Sequence, residues 1–336
     1  MAPTCRVDRG RDGVAVVTMS NPPVNALHPA LLKSLAEQMT ALHADPQVRA
    51  IVVTGDGKNF CAGFDIAQFA SQSPEEVKAA VSGASQTLTA VLETGAKPTV
   101  AAIRGVALGG GCEIAVACNA RVCTPTAKIG LPELQLGIIP GFGGTQRLPR
   151  LVGLQAGLEL ILTSKPIKGS RAKEAGLVDE TVGSDAELIP AARRLALDIA
   201  SGRTPRVQTL QRKDRLESPE LAQMIFGVAR DQTRRRAPHV RHPLLCIDAI
   251  EAGVLKGGEA GLQVSTLPPP LPSHPIPSFA SADTHHAPFY FYSFLLFPLP
   301  LSSSLPFPLP CIPFLLQCRR RQRPSTPPPR SPRTRR

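Results

Sequence analysis

Apolar and polar positions follow two alternating periods along the first part of the chain. GVAVVTMS at 13–20 is apolar and rich in β-branched residues, and the turn signal NPP at 21–23 closes it, so it predicts a strand. The segment 29–43 sets Leu31, Leu32, Leu35, Met39 and Leu42 at helical spacing. RAIVVTG at 49–55 predicts a buried strand, followed by the turn DGKNF. A helix starting at Pro74 and running through the nineties then leads to a strand, TVAAIRG at 99–105. From about Gly110 to Cys118 the pattern is helical again, and the short apolar run ARVCT follows. Such alternation implies an α/β domain, with parallel strand pairing as the working expectation.

Composition divides this polypeptide in two near Gln263. Residues 1–263 hold all 27 glycines and 17 of the 35 prolines, whereas residues 264–336 hold 18 prolines and no glycine. The second part is rich in Pro, Leu, Ser and Phe without strand or helix period, which predicts a disordered tail rather than a packed unit. It also changes the meaning of the charge. Eight arginines and one aspartate beyond Gln263 supply +7 of the net +12, leaving a mild +5 on residues 1–263, so nucleic-acid binding is not implied. Between 284 and 317 the tail is uncharged apart from two histidines and could suggest a membrane span. Pro298, Pro300, Pro306, Pro308, Pro310 and Pro313 leave no unbroken apolar helix of about 20 residues there, so membrane attachment is not expected.

Eight cysteines show no CxxC or CxxH spacing, and several lie in apolar runs such as CEIAVAC, where a buried free thiol is the ordinary reading. The amino end lacks the pattern of a secretory signal, which points to a reducing compartment without a disulfide framework. The seven histidines do not pair at metal-ligand spacing, and no metal site is expected.

Chemistry enters at Gly109–Gly110–Gly111 and Glu113. Glycines between a strand and a helix admit another molecule close to the backbone. The first amides of the helix have no internal partner and lie at the positive end of its dipole. They suit a carbonyl oxygen that is gaining charge. Glu113, three residues after Gly110, falls on the same helix face and offers a proton acceptor. Tight strand–helix packing explains an isolated GGGxE equally well. The spacing in ALGGGCEIA is not that of a dinucleotide fingerprint, and GDGKNF at 55–60 is not a P-loop.

Further segments stand in a fixed order around this cluster: SNPPVNAL (20–27), NFCAGFDI (59–66), GVALGGGCEIA (105–115), GLPELQLGIIPGFGGTQRLPRLVG (130–153) and AKEAGLVDE (172–180). Together they resemble the crotonase superfamily, and most closely the amino-terminal hydratase/isomerase half of peroxisomal multifunctional β-oxidation enzymes. The resemblance implies a spiral of ββα turns over residues 1–200, a helical region or linker over 201–263, and the tail beyond. It implies that the backbone amides of Phe64 and Gly110 form an oxyanion hole, and that Glu113 and Glu133 hold and activate a water. The resemblance further implies that Glu113 chiefly activates the water and Glu133 delivers a proton to C2. Asn25, Ala26, Ala62 and Asp65 fall where contacts to the CoA are expected; a turn-stabilising side chain is the other reading of Asp65.

With both carboxylates present, the resemblance implies an enoyl-CoA hydratase adding water to trans-2-enoyl-CoA, with Δ3,Δ2-enoyl-CoA isomerisation as a second activity. The other reading is a non-catalytic CoA-binding or interaction protein. Acyl-CoA is the expected substrate, with no cofactor, since no GxGxxG follows Gly261. Stand-alone relatives form trimers, so a homo-oligomer is open. Peroxisomal location is implied by resemblance, against a carboxyl end, SPRTRR, that is not an SKL-type address; the alternative is cytoplasmic. A truncated or alternatively processed product is the expectation for the whole.

Overall fold

The apolar runs of the first half become a sheet covered on both faces. The fold is a computed structural model that describes residues 2–65 and 87–265. In chain order its first elements are β1 (Thr4–Arg9), β2 (Val14–Ser20), α1 (Pro29–Ala44), β3 (Ala50–Gly55), β4 (Thr99–Ile103), β5 (Val106–Leu108), α2 (Gly110–Ala117), β6 (Ala120–Cys123) and β7 (Lys128–Gly130). A 3₁₀ turn at Glu133–Leu136 follows, then α3 (Gly144–Val152), α4 (Leu154–Thr163), β8 (Ile167–Lys168), α5 (Gly169–Ala175), β9 (Glu180–Thr181) and α6 (Asp185–Ala200). After a 3₁₀ turn at Thr209–Gln211 come α7 (Pro219–Arg236), α8 (His242–Lys256) and α9 (Gly258–Ser265).

The larger sheet has the order β1-β2-β3-β4-β6-β9 and is parallel from β2 onward, with β1 antiparallel at one edge. Alternation along the strands explains why the runs read as continuously apolar. Val14, Val16, Ala50, Val52, Val100, Ala102 and Val122 face Leu188, Ala192, Ala196 and Ile199 of α6. Their neighbours Ala15, Val17, Ile51, Val53, Ala101 and Ile103 face the opposite way, into a core that includes Leu31, Leu35, Met39 and Leu42 of α1. The parallel pairing expected from the pattern is present. β1 was not anticipated: it is an edge strand with mostly exposed polar residues, and lacks the apolar period that marks the others.

A second layer sets the site. β5 pairs with β7 and β7 with β8, while bridges join Cys61 to Ala107 and Leu27 to Phe64. Successive turns of chain therefore lay one strand in the large sheet and a short segment in this second layer, giving the ββα spiral. The AKEAGLVDE segment closes it structurally: Arg121, buried on β6, donates to the Leu177 carbonyl (2.8 Å) and to Asp179 Oδ2 (2.9 Å).

The last three helices are packed against the spiral. Gln146 of α3 donates to the Ala249 carbonyl at 2.9 Å, and its side chain lies against Gly253 and Gly261, where any Cβ would overlap it. Thr145 and Ser265 share a buried hydrogen bond of 2.7 Å, so helix α9 continues past Gln263. Residues 201–218 are turns and extended chain around one 3₁₀ turn, and of the helices that follow α8 and α9 pack onto α3. Most of the helix expected from Pro74 lies outside the described residues, although 87–94 are helical; the tail beyond Ser265 also lies outside them. No helix among the described residues is long and apolar enough to cross a membrane. All six described cysteines are free and buried.

Candidate active site

Glu113 lies in the first turn of α2 and is 1% exposed. Its Oε1 accepts two backbone amides, from Phe142 at 2.8 Å and Gly144 at 2.7 Å. Its Oε2 is buried without a partner. One oxygen is fixed and the other is presented to the interior. Burial raises the carboxyl from 4.5 to about 7, with the Gly144 and Phe142 amides and the Arg147 guanidinium opposing the rise.

Glu133 begins the 3₁₀ turn after Pro132 and is also buried. The turn ends at Gly137 in the left-handed region, whose amide returns to the Glu133 carbonyl. The Glu133 carboxylate reaches back over Gly109, where an added Cβ would stand 3.2 Å from its Oε1. Its Oε2 is a second buried oxygen without a partner. Burial, and then the charge of Glu113, hold this carboxyl well above the ordinary range. The two amides and Arg147 favour charge on Glu113, whereas Glu133 faces a like charge. The two environments differ, and the charge falls more readily on Glu113 than on Glu133.

The amide donors lie beside them. Gly110 is the first residue of α2, so its N–H has no partner within the helix. The Leu27 bridge uses the Gly63 carbonyl (2.7 Å) and the Asp65 amide (3.4 Å), so strand alternation turns the intervening Phe64 N–H toward the opposite edge. Gly63 has φ +97°, and a Cβ there would lie 2.9 Å from the Leu108 carbonyl and 3.5 Å from the Gly110 nitrogen. Only glycine leaves that space open. The Phe64 ring rests on the Gly110 backbone and meets Phe142 edge to face at 4.9 Å.

Glu113, Glu133, Gly110 and Phe64 are therefore brought together. Asn25 and Ala26 in the loop after β2, and Ala62 and Asp65 in the segment after β3, lie next to these groups, and several of their polar atoms are bonded within the protein. Buried Asn25, at φ 54°, donates from Nδ2 to the Asp56 (2.9 Å) and Asn59 (2.8 Å) carbonyls. Its amide goes to the Asn21 carbonyl, and the Ala62 amide to that of Val24. The Ala26 carbonyl accepts from Asn21 Nδ2. These bonds hold the loop. Sequence reasoning did not find Phe142, Gly144, Arg147 or Cys246, the last a buried α8 thiol that feels both carboxylates. Phe142 and Gly144 act through backbone amides and leave no side-chain signal.

Residues 9–225 match the enoyl-CoA hydratase/isomerase family. The chain belongs to that family. It is 50% identical over 262 residues to the glyoxysomal fatty acid β-oxidation multifunctional protein MFP-a of Brassica napus, covering 77% of this chain and 36% of that protein. A probable enoyl-CoA hydratase of Bacillus subtilis is 46% identical over 187 residues, covering 56% of this chain and 72% of the relative. Among solved structures, the enoyl-CoA hydratase of Bacillus anthracis superposes with a TM-score of 0.57 at 33% identity, covering 78% of this chain and 87% of that one. The chain spans about a third of the length of the plant multifunctional relatives it matches. Family membership accounts for the ββα spiral.

Proposed function

We propose that the protein adds water across the double bond of trans-2-enoyl-CoA thioesters, using Glu113 and Glu133. The observation that carries this reading is a pair of electrostatically coupled, buried carboxylates, each with one oxygen lacking a partner, set beside the amides of Gly110 and Phe64. The thioester carbonyl is polarised by those two donors as negative charge develops; one such donor is typically worth about 10²–10³ in rate. Glu113 Oε2 takes a proton from the water that attacks C3. Glu133 gives its proton to C2, and the pair exchanges protons through the consumed water's successor. The chemistry draws on substrate and protein groups alone, with no redox cofactor.

Isomerisation of a Δ3-enoyl-CoA to the Δ2 form requires a proton carrier between C4 and C2, which Glu133 supplies, so we assign it as a second activity of the same site. The segments of Asn25 and Ala26 and of Ala62 and Asp65 adjoin the oxyanion donors, and we place the CoA along them. The names of the plant relatives support a peroxisomal setting in fatty acid β-oxidation. The test is purified full-length chain supplied with short- and long-chain trans-2-enoyl-CoA and NAD. The expected result is a hydrated product without NADH. Folded protein that hydrates none of these substrates would refute the reading.

A further inference from the structure

A second buried charge pair stands behind the fixed oxygen of Glu113. Arg147 on α3 and Glu93 in helix 87–94 are almost fully buried. Arg147 donates from Nε (3.2 Å) and Nη2 (2.8 Å) to Glu93 Oε2, whose sister oxygen accepts the Leu210 amide at 2.6 Å. The remaining arm, Nη1, donates to the Phe142 carbonyl at 3.3 Å. Phe142 is the residue whose amide holds Glu113. Between Phe142 and Gly144, Gly143 adopts φ +93°, and a Cβ there would overlap Nη1. The turn and the guanidinium fit together only with glycine at that position.

We propose that Arg147, braced by Glu93, is a positioning residue for Glu113: it fixes the Phe142–Gly144 turn so that both amides meet Oε1 and Oε2 stays aimed at the water. A rigid fork that binds a carboxylate on one side and a peptide on the other suits this task; a lysine, as a point charge, grips only one of them. Stability alone gives a weak reason for such a pair, because replacing a buried ion pair with apolar residues is often neutral. The guanidinium also favours the ionised form of Glu113. The other groups facing Glu113 are Glu133, which opposes its charge, and the thiols Cys112 and Cys246, which both feel the two carboxylates. Arg121 lies farther back, near Cys112, and is occupied by Asp179.

This inference rests on the hydratase reading, and its test keeps the two separable. Full-length wild type, Arg147→Lys and the charge-balanced double variant Arg147→Met/Glu93→Gln are compared on crotonyl-CoA across neutral pH, with thermal melts to establish folding. The double variant should lose about tenfold to a hundredfold in kcat with little change in KM. Its acidic limb, set by ionisation of Glu113, should move to higher pH. Arg147→Lys keeps the charge and should leave the limb in place while still losing kcat. A folded double variant with wild-type kcat, or with lowered kcat and an unmoved limb, would overturn the proposal by making Arg147 merely structural. Should the double variant not fold, unchanged kcat in Arg147→Lys would overturn it instead. Infrared titration of the Glu113 carboxylate, assigned by its loss in Glu113→Gln, needs no turnover. If wild type fails to hydrate crotonyl-CoA while the double variant's Glu113 still titrates at higher pH than wild type's, the hydratase reading alone is refuted.

Discussion

Replacing Glu113 with glutamine should abolish most of the activity and make the protein more stable. The folded protein keeps the Glu113 proton up to about pH 7, whereas the unfolded chain releases it near the ordinary 4.5. Across that window the unfolded state binds fewer protons, so wild-type stability falls as pH rises. Below 4.5 both states are protonated and no cost is present; above about 7 the full cost is present. At 1.36 kcal/mol per pH unit, the rise from 4.5 to about 7 corresponds to roughly 3 kcal/mol. The contribution of the Phe142 and Gly144 amides is already contained in that value, and a glutamine carbonyl still accepts both. Glu113→Gln should therefore exceed wild type by roughly 3 kcal/mol near pH 8 and by almost nothing near pH 4.5. Urea denaturation at a series of pH values reads this directly. With an m-value of about 3 kcal/mol/M, the midpoint should rise by about 1 M at the alkaline end. A variant no more stable than wild type at pH 8, or a difference that does not shrink on acidification, refutes the view that the site stores the cost of a buried charge.

Other expectations concern the same machinery. Glu133→Gln should lower kcat for hydration by about 10²–10⁴ and remove isomerisation, whereas Glu113→Gln should spare isomerisation more; equal loss of both reactions in the two variants would sink the division of roles. The double substitution should cost far less than the product of the single effects, as measured by kcat, because the two carboxylates act as a unit. Gly63→Ala should reduce kcat strongly with acyl-CoA binding weakened, since its Cβ enters the space before the Gly110 amide; wild-type turnover would show that this space is not the oxyanion site. A chain ending at Ser265 should keep its activity and its melting temperature, while one ending at Gly257 should lose stability as Thr145 and Gln146 lose their α9 partners.

Much of this was legible in the chain. β2, β3, β4 and α1 follow from apolar period alone, because each is covered on faces that the period marks. Glu113, Glu133, Gly110 and Phe64 stand out because their motifs keep a recognisable order, and the fold brings them near one another. What escaped has a common physical cause. The amides of Phe142 and Gly144 act through backbone that any residue carries. Glu93 and Arg147 are 54 residues apart, and no local spacing rule joins them. Gln146 reads as a polar residue on an apolar helix until Gly253 and Gly261 are seen to make room for it. The break in composition near Gln263 was read as the end of the fold, yet Ser265 is buried, because a small hydroxyl at a helix end carries no compositional mark.

The grip of the last helices on Gln146 bears on how such a module joins a longer polypeptide. In the Brassica napus relative the matching segment makes up 36% of a longer polypeptide. The segment that binds Glu113 and the segment clasped by α8 and α9 are consecutive, Phe142–Gly144 and Thr145–Gln146. A downstream extension is thus moored within a few residues of the turn that holds Glu113. A graft point that leaves Ser265 seated can change its cargo without loosening Thr145 and Gln146. Strain applied there reaches the buried Glu113 carboxylate by a very short mechanical route.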